Sequence, residues 1–363
     1  MNYYLLEQVD KPDTRSSAIG KARKDVYEIC RRQGYDEIEF SADFIPHDGD
    51  GLFKKMNQHW KVYKSLKKVL QKLRAGDRLL IQYPLMYNSI FWDRLLKRSK
   101  RHKIKVVCLI HDLDQLRLGQ WETISFRKRL KIRIQETRQL TQCHCIIVHN
   151  GRMKDYLIQK RFKEDKIICL NMFDYLMDKA AEKRQHGEGI CVAGNLNPHK
   201  AGYVYELAKI PLKFFLYGSG YDEKRMADVK KAELNEIVYN GLYGPEELPE
   251  QLEGNYGLVW DGDERNTCSG NFGNYERYNN PHKLSLYLAA GLPVIVWSQA
   301  AVSLFVKEQG VGIVVDSLNE LPKKLSGISG EEYDQMKERV MAVGKKIRKG
   351  DFMKAALEKV HEL

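Results

Sequence analysis

Strand-like and helix-like runs alternate along this chain from one end to the other, and that alternation restricts the fold more than any other feature. The strand candidates of the first half are YYLLEQ, EIEF, RLLIQYP, IKVVCLI, CIIVH and KIICL, separated by helical runs near 18–33, 53–74, 89–102, 122–140 and 151–160. The second half repeats the scheme with GICVAG, LKFFLYG, EIVYN, YGLVW, PVIVW and GIVV. Such alternation places strands side by side in parallel sheets with helices on both faces. Two sets of six strands make two doubly wound α/β domains, in keeping with 363 residues at about 150 per domain. The break falls near 171–189, where the pattern turns polar and Gly-containing. The domain limits read as 1–172 and 173–342, with a helical tail in which Gly344 and Gly350 are expected bends.

The totals narrow the class. With 43% hydrophobic and 30% charged residues the chain has the composition of a soluble globular protein. No apolar run reaches the roughly 18 residues of a membrane span. The start, MNYYLLEQVD, lacks a basic n-region and does not read as a signal peptide. Seven cysteines sit mostly in apolar runs without CxxC spacing, which implies free thiols in a reducing cytoplasm and no zinc site. Cys143 and Cys145 are expected on one face of a strand. The net charge of +12 is concentrated between 54 and 163, in helical runs with Lys and Arg opposite an apolar face. Against a merely solvated surface stand three partners: nucleic acid, an anionic membrane or an acidic substrate. No helix-turn-helix, RNP or Gly-rich arm supports nucleic acid. A peripheral face on anionic lipid is the better specific reading.

Ligands of open α/β sheets collect at the carboxyl ends of the strands. Of the loops there, YNNPHKLSLYLAAGLPVIVW (278–297) carries a helix whose N-terminus, with His282 and Lys283, suits an anion such as phosphate. Capping of a core helix by Asn279 or Asn280 ahead of Pro281 is the plain alternative. AGNLNPHK brings Asn195 and Lys200 to a strand end, as phosphate contacts or as a turn with a solvated lysine. LYGSG is glycine-rich after Tyr217. Tyr243 in NGLYGPEEL could stack on a planar base or pack on its own domain. The 20-residue stretch 261–280 reads as a long, structureless and therefore functional loop. Its DGD is either a metal-binding pair of carboxylates or a tight turn. LIHDLDQLR puts His111 and Asp112 where a strand ends, as a general base or as an N-cap. Ser17 and Gly20, at the start of a helix, suit close approach of a ligand to backbone N–H groups.

Taken together, AGNL, YGPEELP, the 255–297 block and GVGIVVDSLNEL, with SSAIGKARKD, LLIQYP, LIHDLDQLR and IIVHN, resemble a bacterial glycosyltransferase family. It contains β-1,6-galactofuranosyltransferases of O-antigen and exopolysaccharide assembly and the streptococcal glucosyltransferase that modifies serine-rich adhesins. The resemblance covers nearly the whole chain. It implies a GT-B fold: two Rossmann-like domains facing a central cleft, the acceptor on 1–172, the nucleotide-sugar on 173–342, and a C-terminal helix, 343–363, crossing back to the first domain.

The activity implied is transfer of galactofuranose or glucose from a UDP-sugar to a glycan hydroxyl, with inversion and with no metal or other cofactor. Asp112 or His111 would be the base. The donor would lie against Ser17, Gly20, Asn195, Lys200, Tyr217, Tyr243, Asn280, Lys283, Ser285 and Tyr287. Many two-domain glycosyltransferases place a ribose-binding glutamate three residues after the lysine; here that residue is Leu286, so Ser285 or Tyr287 would serve. Expected partners are the UDP-sugar, a glycan or glycoconjugate acceptor, an anionic membrane surface at its inner face and a second copy of the chain, with no nucleic acid. The competing reading is a non-catalytic, glycosyltransferase-like partner or chaperone, for which Leu286 speaks.

Overall fold

A computed structural model describes residues 1–8, 18–41, 51–86, 89, 91–118, 125–178, 188–230 and 236–363. Among these residues twelve strands form two six-stranded sheets, and every pairing within them is parallel. The first contains β1 (Asn2–Glu7), β2 (Asp36–Phe40), β3 (Arg78–Tyr83), β4 (Lys105–Ile110), β5 (Cys145–Val148) and β6 (Ile167–Cys169), in the order β2-β1-β3-β4-β5-β6. The second contains β7 (Ile190–Asn195), β8 (Phe214–Ser219), β9 (Ile237–Gly241), β10 (Tyr256–Val259), β11 (Val294–Trp297) and β12 (Gly312–Val315), in the order β12-β11-β10-β7-β8-β9. All twelve fall on the apolar runs read from the sequence. Strands covered on both faces need continuous hydrophobicity, and β4, β5, β10 and β11 are almost wholly buried.

Each sheet reverses its strand order once, between β1 and β3 in the first and between β7 and β10 in the second. The second reversal opens a crevice between the loops that begin at Asn195 and Trp260, the place where doubly wound sheets take ligands.

The stretch joining the halves begins inside the protein. Met172, Phe173, Asp174, Tyr175 and Leu176 are all buried. Asp174 caps the final helix, Asp351–Glu362, by accepting from the backbone N–H of Met353 at 2.7 Å and of Phe352 at 3.3 Å. That helix lays Met353, Ala356, Leu357 and Val360 against Val26, Ile29, Leu80 and Ile147 of the first half.

Three local expectations differ from the structure. The stretch 261–280 is not structureless: Gly270–Tyr275 is a short helix, and Gly262 (φ +116°) closes a turn so tight that a Cβ would meet the Ser269 carbonyl at 2.4 Å. Cys143 precedes β5 and packs on one side of the sheet while Cys145 packs on the other, because only Cys145 lies in the pleat. Gly344 is not a bend. It lies inside the helix Gly330–Lys349, where a Cβ would come within 2.3 Å of the Leu288 carbonyl oxygen, so its missing side chain lets that helix cross His282–Ala289 closely. Gly350, at φ +85°, does separate two helices.

Gly344→Ala should therefore destabilise the protein by about 2 kcal/mol through overpacking, read as a lowered denaturant midpoint with an unchanged m-value. An unaltered midpoint would show that the two helices can move apart freely.

Candidate active site at the interdomain cleft

The segment 278–285 belongs to the second half of the chain but is seated on the first. Asn280 is 3% exposed, and its side-chain amide donates to the carbonyls of His149 and Asn171, both at 2.8 Å. Its Oδ1 accepts from Asn150 Nδ2 at 2.7 Å, and its backbone N–H donates to His149 Nδ1 at 2.9 Å. Asn150 also donates to the Tyr278 carbonyl at 2.9 Å and caps the helix Gly151–Gln159 through Met153 N–H. His149 must carry its proton on Nε2, which donates to the Ile110 carbonyl at 3.1 Å. Burial pushes its pKa down to about 3, so the ring is neutral. Ser285 completes the seat by donating to the Phe173 carbonyl at 2.7 Å.

Around Phe173 three imidazoles gather. His111 stacks on its ring at 5.3 Å, His282 lies tilted at 4.7 Å, and His149 meets it edge-on at 4.9 Å. Neither ring nitrogen of His282 has a hydrogen-bond partner among the described residues. Burial lowers the pKa of His282 to about 4 and holds that of His111 well below the usual range, with Arg23 adding to the effect on His111. Gln82 Nε2 donates to the Arg23 carbonyl, so its Oε1 accepts the Nε2 proton of His111 at 2.6 Å.

Asp112 follows β4 and is half-buried. Burial raises its pKa, against the opposing pull of Arg117 at 3.7 Å and a hydrogen bond from the Tyr275 hydroxyl. Tyr275 comes from the short helix of the second half and also accepts the Leu113 N–H at 3.3 Å. The buried Glu136 holds the turn after Asp112 by accepting the N–H groups of Asp114 and Gln115.

Opposite lie the cations. Lys283 donates to the Trp260 carbonyl at 2.5 Å and to Asp261 Oδ1 at 2.7 Å, with Glu276 Oε1 at 3.9 Å. Burial alone would lower the lysine's pKa, but Asp261, Tyr203 and Glu276 outweigh it and keep the ammonium charged. Glu276 is fully buried; burial pushes its carboxyl up while Lys283 pulls it back, and Oε1 has no hydrogen-bond partner among the described residues. Lys200 is half-buried, with its ammonium 5.3 Å from the Phe272 ring centre, and its field reaches both Asp112 and Glu276.

The residues singled out from the sequence thus divide. Lys200 is brought near Asp112 and Glu276, while Lys283 beside them is already bonded to Trp260 and Asp261. Asn195 is exposed at the end of β7, where its Oδ1 accepts the Asn197 N–H at 2.9 Å; Tyr243 is half-buried beside Tyr217. Gly20 lies in the first turn of the helix Ala18–Arg32, and Ser17 falls outside the described residues. Four others are already engaged by the protein. Asn280 holds the two halves together and does not cap its helix, and Ser285 is bonded to Phe173 in the stretch that joins them. Tyr287 is a core residue whose hydroxyl accepts the Ala193 N–H at 2.7 Å and whose ring fills the space left by Gly257. Tyr217 is 1% exposed; its hydroxyl donates to the Gln251 carbonyl and accepts from Asn240 and the Glu253 N–H. Asp261, of the DGD, is paired with Lys283. Tyr275, Glu276, Arg117 and His149 were not singled out, since no periodicity marks them.

A cleft between two parallel-sheet domains, with a carboxyl on one wall and lysines at the switch point of the other, defines a protein of the GT-B class. Residues 3–172 match the family described as "Glucosyltransferase 3-like, N-terminal domain" and residues 190–360 its C-terminal domain. The chain is 33% identical over 354 residues to a β-1,6-galactofuranosyltransferase of Escherichia coli (strain K12), WbbI, covering 96% of this chain and 95% of that one. Glucosyltransferase 3 of Streptococcus gordonii is 27% identical over 338 residues, 93% and 92% of the two chains. Among solved structures, Anabaena HepE in complex with UDP superposes with a TM-score of 0.62 at 13% identity over all of both chains. The lipopolysaccharide outer core galactosyltransferase WaaB gives 0.56 at 9% over 100% of this chain and 99% of that one. The chain belongs to the glucosyltransferase 3-like family of glycosyltransferases.

Asn280→Ala should lower stability by about 2 kcal/mol, because it strips hydrogen bonds from the Asn150 amide and from the His149 and Asn171 carbonyls of the first half. It should leave the KM for a nucleotide-sugar within a few-fold. A large rise in KM with unchanged thermal stability would return Asn280 to the donor site.

Proposed function

We propose that this protein transfers a hexose, galactofuranose or glucose, from a UDP-sugar to a hydroxyl of a glycan acceptor, with inversion and without a metal. The observation that carries the reading is that Lys200, from the second half, bears on Asp112 of the first half and also on Glu276, beside which Lys283 is held charged. The names of the relatives support the sugar class, one a galactofuranosyltransferase and the other a glucosyltransferase. HepE, which shares the fold, was solved with UDP and with UDP-glucose.

In the proposed reaction the acceptor O–H gives its proton to Asp112 while its oxygen attacks the anomeric carbon. The bond from that carbon to the diphosphate oxygen breaks on the opposite side. Negative charge then grows on UDP, where fixed cations stabilise the transition state more than the ground state. Lys200 is the better placed to move onto a phosphate, and Lys283, held by Trp260 and Asp261, supplies charge from a set position.

The choice between the two bases follows from their surroundings. A general base works best with a pKa near the operating pH. Burial shifts Asp112 upward, toward that range, and shifts His111 far below it. His111 then serves to hold the wall beneath the acceptor through Gln82 and Phe173.

A screen of UDP release with UDP-galactofuranose and UDP-glucose over several glycoside acceptors tests the activity. Asp112→Asn should cut kcat by about 10²–10⁴-fold while leaving UDP affinity intact. Arg117→Ala removes a cation that holds the Asp112 pKa down, so the acid limb of the kcat/KM profile should move to higher pH. Turnover by Asp112→Asn equal to the wild type, or an acid limb that stays in place, would remove Asp112 from the role of base. Absence of UDP release with every donor would leave the non-catalytic partner reading.

A further inference from the structure

We propose that the outer surface of the first domain, built on the helices Leu52–Gln71 and Phe126–Arg133, docks on an anionic lipid bilayer. The helix Leu52–Gln71 has two apolar faces. One, with Val62, Leu66 and Val69, lies in the core. The other points away from it: Phe53, Met56 and Trp60, spaced i, i+3, i+7, are 92%, 41% and 38% exposed. Phe126 and Leu130, one turn apart on the second helix, are 73% and 46% exposed. Single exposed apolar residues are ordinary, but five large ones on two helices of the same layer are not.

The helices share one side of the first sheet. Trp92–Arg101 lies between them, touching Leu52–Gln71 and the turn Ile134–Gln139 that continues the second helix. Arg138 approaches Asp93 at 3.7 Å across that contact. At the other edge Trp60 stacks on Tyr63 at 5.0 Å and meets Phe91 edge-on at 5.6 Å, so the protruding indole is held rather than loose.

Charge selects the partner. The segments 52–72, 92–105 and 126–140 together hold twenty Lys and Arg against two acidic residues, Asp93 and Glu136. Their excess is larger than the +12 of the whole chain, so the remainder is acidic on balance. Lys54, Lys61, Lys64, Arg127 and Lys128 are exposed beside the apolar side chains. A second copy on this face would set like charge against like. A bilayer of anionic headgroups answers both features: Lys and Arg meet the headgroups, and Phe, Met, Leu and Trp enter the interface beneath them. Aliphatic Met56 and Leu130 on convex helix faces suit acyl chains better than stacked bases, which need flat aromatic platforms.

The test uses the full chain and co-sedimentation with vesicles of phosphatidylcholine alone or with about a third phosphatidylglycerol, at about 0.1 M salt. The expected result is pelleting with the anionic vesicles, little with the neutral ones, and release as salt rises. The double variant Phe53→Ser/Trp60→Ser should bind anionic vesicles at least about tenfold more weakly at the wild-type melting temperature. A single Phe53→Ser variant, altering a side chain outside the core, keeps the test valid if the double one unfolds; it should bind several-fold more weakly. Equal binding to both vesicle types, no binding to either, or variants that bind like the wild type would overturn the proposal. So would tighter binding of RNA or DNA than of anionic vesicles, through the same residues.

Discussion

The burial of Asn280 between the two halves is the constraint on which the rest of the structure depends. A buried primary amide must find partners for both donors and for its acceptor, and here every partner of the side chain comes from the first half: His149, Asn171 and Asn150. Each such bond is worth only about 1 kcal/mol net, but leaving any of these groups unpaired costs more. The set is therefore satisfied together. It also fixes position, since His149 and Asn150 sit where β5 ends and Asn171 lies just past β6. Seating Asn280 there turns the carboxyl ends of both sheets toward one gap, and the loop that holds Asp112 meets the helix that holds Tyr275.

Within that gap the charged groups are arranged to suit an anion that arrives and leaves. Lys283 is charged because three anionic or polarised neighbours outweigh its desolvation. Burial of the ion pair is costly unless its geometry is good, and contacts at 2.5 Å and 2.7 Å meet that demand. The surroundings on the other wall work in the opposite sense. Three neutral imidazoles gather around Phe173, and Arg117, a cation on that wall, is taken up by Asp112 and Asp114. Glu276 Oε1, 3.9 Å from Lys283, adds to the field that keeps that lysine charged.

Much of the architecture was legible in the sequence, and for a plain reason. A strand buried on both faces must be apolar at each position, and such runs in alternation with amphipathic helices leave few topologies. The GT-B assignment came from the resemblance of whole loops, the 255–297 block above all. The site was less legible. Asn280, Ser285 and Tyr287 cluster around Lys283 in sequence, and polar residues at a helix start look like ligand groups. Their partners, Asn171, Phe173 and Ala193, are distant in the chain, so nothing local shows that these atoms are already bonded. Glu276 and Tyr275 escaped for the opposite reason. They follow a glycine-rich segment that reads as loop, and only tertiary contact winds Gly270–Tyr275 into a helix. Gly344 misled in the same way, because a glycine that admits a neighbouring backbone has the same letter as one that bends a helix.

Parallel topology ties the outer face of the first domain to its chemistry. In a parallel sheet every helix that follows a strand starts at the carboxyl edge, where the ligands collect. Phe53 is the second residue of the helix that follows β2, Phe126 opens the helix that leads on toward β5, and Asp112 lies two residues past the end of β4. The apolar side chains that protrude from the helices thus belong to the same edge of the sheet as Asp112. A surface that engages them approaches the protein from the side on which the cleft opens. Exposed phenylalanines on basic helices, a solubility liability anywhere else on the molecule, have a physical reason to stand there.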